Sequence, residues 1–235
     1  MTVSLFEDLG MSKLGLIFEK QLKHLCLLIA LLIGVHLSSR IDGFFVGELW
    51  GVGTATWFYL SVAVPVAHQL FVWFCWRIEL HAALLTRWFG SRAFTVYAVV
   101  FAILIIARPI TMTILAIANR DTLPLNTFIA WALSIFLAVP GVYLIYSIKR
   151  YFGFLRAFGI DHFDASYRSR PLVREGIFRF SGNSMYTFGF LILWIPAILF
   201  CSKAAVFSTL FSHLFIWVHY WCVEKPDIKR IYGQP

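Results

Sequence analysis

Six apolar runs, each of sixteen or more residues and none with more than one charged side chain, follow one another along the chain at 22–37, 51–76, 93–118, 126–148, 185–200 and 204–222. A helix needs about 20 such residues to cross the hydrocarbon core of a bilayer. In lipid the backbone polar groups of a spanning segment must be paired internally, which a helix does by itself. The sequence therefore predicts an all-α fold, a polytopic membrane helical bundle of about six transmembrane helices. The first run is slightly short, so Lys23 would snorkel from its start to the interface. The last two runs are separated only by residues 201–203, which makes them a C-terminal helical hairpin.

Charge placement orients this bundle. Sixteen of the twenty lysines and arginines fall in segments assigned to one side, three (Arg40, Arg120 and Lys203) fall on the other, and Arg108 lies inside the third run. Lysine and arginine accumulate in cytoplasmic loops, so an even number of spans with both termini cytoplasmic is expected. The net charge of +8 is thereby accounted for by topology, and no nucleic-acid partner is expected. Arg108 at that depth would cost roughly 2.5–3.5 kcal/mol on insertion scales, so it should be paired, solvated or near an end, in a mainly structural role. His68, in the second run, reads chiefly as a helix-packing group.

The chain divides into an N-terminal four-helix membrane region, 1–150, and a C-terminal part, 151–235, holding an interfacial segment, the hairpin and a tail. Residues 1–21 form an amphipathic lead-in and 77–92 a cytoplasmic loop. The stretch 151–180 is too polar to span and too aromatic for a free linker, so it should lie partly helical at the interface. The tail, 224–232, is a short amphipathic piece. The four cysteines lie in apolar runs without C-x-x-C or histidine spacing, and no metal site is expected.

Chemistry concentrates at 174–189, REGIFRFSGNSMYTFG, and at Glu224, where the last apolar run ends. Helical spacing places His213, Trp217, Tyr220 and Glu224 on one face. The partner helix offers Tyr186 and Gly189, the latter permitting close approach. Asn183 and Ser184 can cap that helix and leave N–H groups for an anion. An aromatic and acidic pocket beside such a helix start suits a zwitterionic ligand; a capped helix with an interfacial carboxylate is the other reading.

The segment LVREGIFRFSGNSMYTFG, 172–189, resembles a motif of the integral-membrane methyltransferases that include phosphatidylethanolamine N-methyltransferase and isoprenylcysteine carboxyl methyltransferase, roughly L-V-x-x-G-P-Y-R-x-x-R-H/N-P-x-Y-x-G. Gly176, Arg179, Asn183, Tyr186 and Gly189 match, while Gly182 stands for an arginine and Ser184 for the proline. A second motif, a glutamate pair followed by an aromatic or glycine element, resembles Glu224-Lys225-Pro226 and Ile231-Tyr232-Gly233, with Lys225 in place of the second glutamate. Asn183 and Pro226 are closer to the phosphatidylethanolamine branch.

The resemblance implies S-adenosylmethionine held by Asn183, Ser184, Tyr186, Gly189 and Glu224, with a membrane lipid entering from the bilayer. Its headgroup would be bound near Arg179, His213 and Trp217. The implied reaction is methylation of a phospholipid amine, with His162 preferred as base over Asp161, Asp164 and Glu224, and with Glu224 at the reacting centre. Methylation of a prenylated cysteine carboxylate is the alternative acceptor. A sterol-type membrane reductase, and a non-catalytic adaptor or transporter, are the readings from other classes.

Overall fold

The computed structural model describes residues 12–233, so the expected lead-in is described only from Ser12 onward. It is 77% helical with almost no sheet, an all-α polytopic bundle. Four helical segments, Thr54–Ala82, Leu84–Ala118, Thr127–Phe152 and Lys203–Tyr232, are long and apolar enough to cross a membrane, and a shorter apolar one is Met185–Leu199. The elements are α1 (Lys13–Ile17), α2 (Gln21–Ser38), β1 (Glu48–Leu49), β2 (Val52–Gly53), α3 (Thr54–Ala82), α4 (Leu84–Phe89), α5 (Ala93–Ala118), α6 (Thr127–Ser147), α7 (Phe154–Ala157), α8 (Leu191–Leu199), α9 (Lys203–His219) and α10 (Lys225–Tyr232).

α9 is the centre of the bundle and packs on α2, α3, α5 and α8, while α6 packs chiefly on α8. In lipid, close packing rather than exclusion of water holds helices together, and small residues permit it. Ala116, Ala197, Ala204 and Ala205 are fully buried where these helices meet, with Phe58, Leu115 and Phe215 filling the space between them. Ser61 and Ser208 share a 2.7 Å hydrogen bond across α3 and α9.

Two polar hubs tie the ends. At one end the fully buried Asn119 donates from Nδ2 to the carbonyls of Phe44 and Val46, and its Oδ1 accepts from Ser202 Oγ and Ala204 N. One side chain thus joins the α2–α3 connection, the end of α5 and the hairpin turn. At the other end Arg77, also fully buried, pairs with Asp227 Oδ2 at 2.9 Å and Glu19 Oε2 at 3.4 Å, and donates to the carbonyls of Leu16, Cys222 and Val223. The two described ends of the chain, around Leu16–Glu19 and Cys222–Asp227, therefore meet at one end of the bundle.

Two expectations need correction. The second helix does not stop at 76: α3 runs on to Ala82, because Arg77 and Glu79 are satisfied where they stand. The Glu79 carboxylate accepts from the backbone N–H and hydroxyl of Thr86, which anchors α4, so most of the expected 77–92 loop is helical. At its start the same helix gives up 51–53 to a β-hairpin, in which Trp50 and Gly51 both have positive φ, 55° and 73°. That is the backbone of the tight turn that suits strand twist. The 151–180 segment is, as expected, a series of short helical turns around α7.

Candidate functional site

Both helices of the hairpin are broken by a π-turn where the two motifs fall. Met185–Gly189 and Tyr220–Glu224 each form one, immediately before α8 and immediately after α9. Such turns, with i→i+5 bonds replacing i→i+4, occur mostly as single turns inside helices and often at functional sites. Here they face each other, and the Tyr186 hydroxyl donates a hydrogen bond to Glu224 Oε2. The rings of Trp217 and Tyr220 lie 6.1 and 5.9 Å from that of Tyr186.

A cavity of about 980 Å³ opens beside this contact. That is at the upper end of the ~300–1,000 Å³ usual for small-molecule sites. Its wall includes Gly182, Asn183, Tyr186, Gly189 and Glu224 from the hairpin, with Asp161 and His162 from the interfacial segment. Arg174 and Arg179 also line it, and both are exposed. Arg179 stacks on Phe180 with its guanidinium carbon 4.6 Å from the ring centre.

The interfacial acid–histidine pair is built with care. Gly159, at φ +83°, lets the chain pass against Trp76, whose ring a Cβ there would approach to 2.4 Å. The His162 ring stacks on Trp76 at 4.1 Å. Its Nδ1 donates to Asp161 at 3.1 Å and its Nε2 lies 3.6 Å from Asp227. Tyr232 donates to the other Asp161 oxygen at 2.7 Å. Burial works against a charged imidazole here, but the hydrogen bond to Asp161 and the nearby Asp161 and Asp227 charges outweigh it and raise the pKa to about 9. For Asp161, burial acts upward and is overcome by the His162 hydrogen bond and charge and by Tyr232, which leaves the carboxyl below its usual range. His162 is accordingly a cation at neutral pH, the form that donates rather than accepts protons.

Other expected site residues distribute as follows. Asn183 lines the cavity and its carbonyl accepts from the N–H groups of Tyr186 and Thr187. Neither Asn183 nor Ser184 caps the following turn through its side chain, contrary to expectation: Ser184 has helical φ and ψ, and its hydroxyl donates to the carbonyls of Ile177 and Ser181 at 2.9 and 2.6 Å. Gly189 makes room for Leu144 of α6, which a Cβ would meet at 2.8 Å. His213 and Trp217 are not on the cavity wall. His213 accepts from Trp194 Nε1 at 3.1 Å, between α8 and α9. Trp217, Tyr220 and Glu224 all meet Tyr186, and His213 meets Phe190, so the four residues face the partner helix while only Glu224 of them reaches the cavity.

Deeper in, the cavity has a polar wall. His68, Gln69, Arg108 and His219 all line the same cavity, and each is buried. Lys225 is exposed, its ammonium 4.4 Å from the centre of the Trp221 ring.

A polytopic bundle with a cavity between paired π-turns is the class that fold and site define. Residues 129–235, somewhat under half of the chain, match the model of the phospholipid methyltransferase family. A stretch of 77 residues is 32% identical to a protein of Talaromyces marneffei named phosphatidylethanolamine N-methyltransferase, covering 33% of this chain and 8% of that relative's length. No solved structure matches the chain.

Proposed function

We propose that the chain is an S-adenosylmethionine-dependent methyltransferase acting on the amine headgroup of a membrane phospholipid. The observation that carries this reading is the apposition of Tyr186 and Glu224 across the two π-turns, inside the segment that matches the phospholipid methyltransferase family. The cavity wall suits such a methyl donor: a carboxylate for its cationic and ribose groups, aromatic rings for its flat base, and Arg174 and Arg179 at the wall for its carboxylate. When bound, S-adenosylmethionine supplies an electrophilic methyl group on a sulfonium.

The chain's own contribution is positioning and proton handling. Glu224, held by Tyr186, and Asn183 fix the donor, and orientation for in-line attack supplies much of the acceleration. An ammonium must lose a proton before it attacks. Burial in a largely apolar cavity disfavours the charged amine, and the Asp161 and Glu224 carboxylates on the wall are the acceptors within it. His162 then acts through Asp161, holding it in place and ionised, in preference to the role of free base.

Purified chain incubated with methyl-labelled S-adenosylmethionine and lipid extract tests this. Label is expected in N-methylated phospholipid and to fall at least roughly tenfold in Asp161→Asn. Label in a prenyl ester would place the chain in the other branch, and no transfer to any acceptor would overturn the reading.

A further inference from the structure

Arg108 is a buried cation on the cavity wall, unlike the exposed Arg174 and Arg179. Its side chain is 3% exposed, roughly 15 Å along α5 from Ala118, so it lies near mid-membrane depth. Among the described residues it has no carboxylate within ion-pair distance. Its contacts are one long hydrogen bond, 3.4 Å from Nη2 to the Pro65 carbonyl, and the face of Phe190 at 5.4 Å. Its Nε has no partner, and it lines the cavity.

Around it the wall carries further unmatched polar atoms. Both ring nitrogens of His68 and of His219, and Nε2 of Gln69, are buried without a hydrogen-bond partner among the described residues. Their residues are 3%, 1% and 2% exposed and all line this cavity. A buried charge and several buried donors are each costly when unsatisfied, most of all inside a bilayer. Grouped on one wall of a chamber, they form a receptor for an oxyanion.

Resting on the proposed phospholipid reaction, we infer that Arg108, with Gln69, His68 and His219, binds the phosphodiester of the lipid acceptor and so selects a phosphorylated amine over a phosphate-free one. Ring contacts link this wall to the cofactor end: Arg108 to Phe190 at 5.4 Å, then Phe190 to Tyr186 at 6.3 Å. An aminoethyl phosphate anchored at Arg108 would extend its nitrogen towards Tyr186 and Glu224. The carboxylate of the methyl donor shares the oxyanion chemistry, and its binding is the second arm of the test.

The full chain, purified in a phosphate-free maltoside detergent, is titrated with dihexanoyl phosphatidylethanolamine, with hexadecylamine and with S-adenosylmethionine. Arg108→Gln is expected to weaken phospholipid binding roughly tenfold or more while leaving the other two within about twofold. Arg108→Lys, which keeps the charge, should retain part of the affinity. Gln69→Leu, which leaves the cation in place, gives a smaller loss in the same direction and serves if Arg108→Gln does not fold. Equal loss for both amphiphiles, no loss for either, or loss for the methyl donor alone overturns the proposal. Intact phospholipid selectivity in a protein that binds no S-adenosylmethionine would sink the methyltransferase reading and leave the anion site standing.

Discussion

Tyr186 and Glu224, thirty-eight residues apart, are joined by a hydrogen bond because each sits in a π-turn at the same end of one helical hairpin. The contact ties the two motifs into one wall. Tyr186→Phe removes the donor and leaves the Glu224 carboxyl with one partner fewer. The cost of leaving a buried polar group unmatched is about 1–3 kcal/mol. Thermal unfolding in detergent should show a lower midpoint, and affinity for S-adenosylmethionine should fall by roughly tenfold.

The Arg77–Asp227 pair is fully buried and bridges α3 to α10. Removing one partner leaves the other buried charge with weaker contacts, Arg77 with Glu19 at 3.4 Å or Asp227 with Arg230 at 3.3 Å, so the cost lies at or below the roughly 3–5 kcal/mol of a broken buried pair. Asp227→Leu or Arg77→Met alone should therefore lower the unfolding midpoint. The double variant Arg77→Met with Asp227→Leu should recover much of the loss, which a double-mutant cycle measures.

His162 gives the structure a pH dependence of defined sign. Its pKa in the fold, about 9, exceeds the ordinary histidine value of 6.5, so the folded state binds the proton more tightly. The stabilisation is complete below about pH 6.5 and disappears as pH rises through 9, a span worth about 3 kcal/mol. Unfolding midpoints should fall between those pH values in the wild type. His162→Gln should flatten that slope.

Gly176, one of the matched motif positions, has φ +60° and sits against Ser147, whose Oγ a Cβ would approach to 2.7 Å. That hydroxyl accepts from the Ile177 N–H at 3.1 Å. Gly176→Ala both strains the backbone and displaces Ser147, and a loss of roughly 1–3 kcal/mol is expected. Limited proteolysis should then cut faster between 170 and 184.

The bundle was legible because apolar length and charge placement are properties of single segments, as in 93–118 and the tight turn at 201–203. The site was legible in part. Tyr186 and Glu224 stand out at the ends of apolar runs, but no spacing rule announces the two π-turns or tells that the cavity leaves out His213 and Trp217. Arg77 read as the end of a span since its partners, Glu19 and Asp227, come from opposite ends of the chain. Arg108 reads from local sequence as structural and His68 as a packing group, because nothing there tells that two spans share a cavity. Ser184 occupied a plausible cap position, yet its hydroxyl serves the Ile177 carbonyl seven residues back.

The central claim is that the wall made by the two π-turns holds S-adenosylmethionine. Calorimetric titration of the methyl donor into purified wild type and Glu224→Gln tests it directly. Wild type should bind the donor saturably and one-to-one, and the variant should bind roughly tenfold or more weakly, with unfolding still cooperative in both. Equal affinity in the two proteins, or no binding by the wild type, would contradict it.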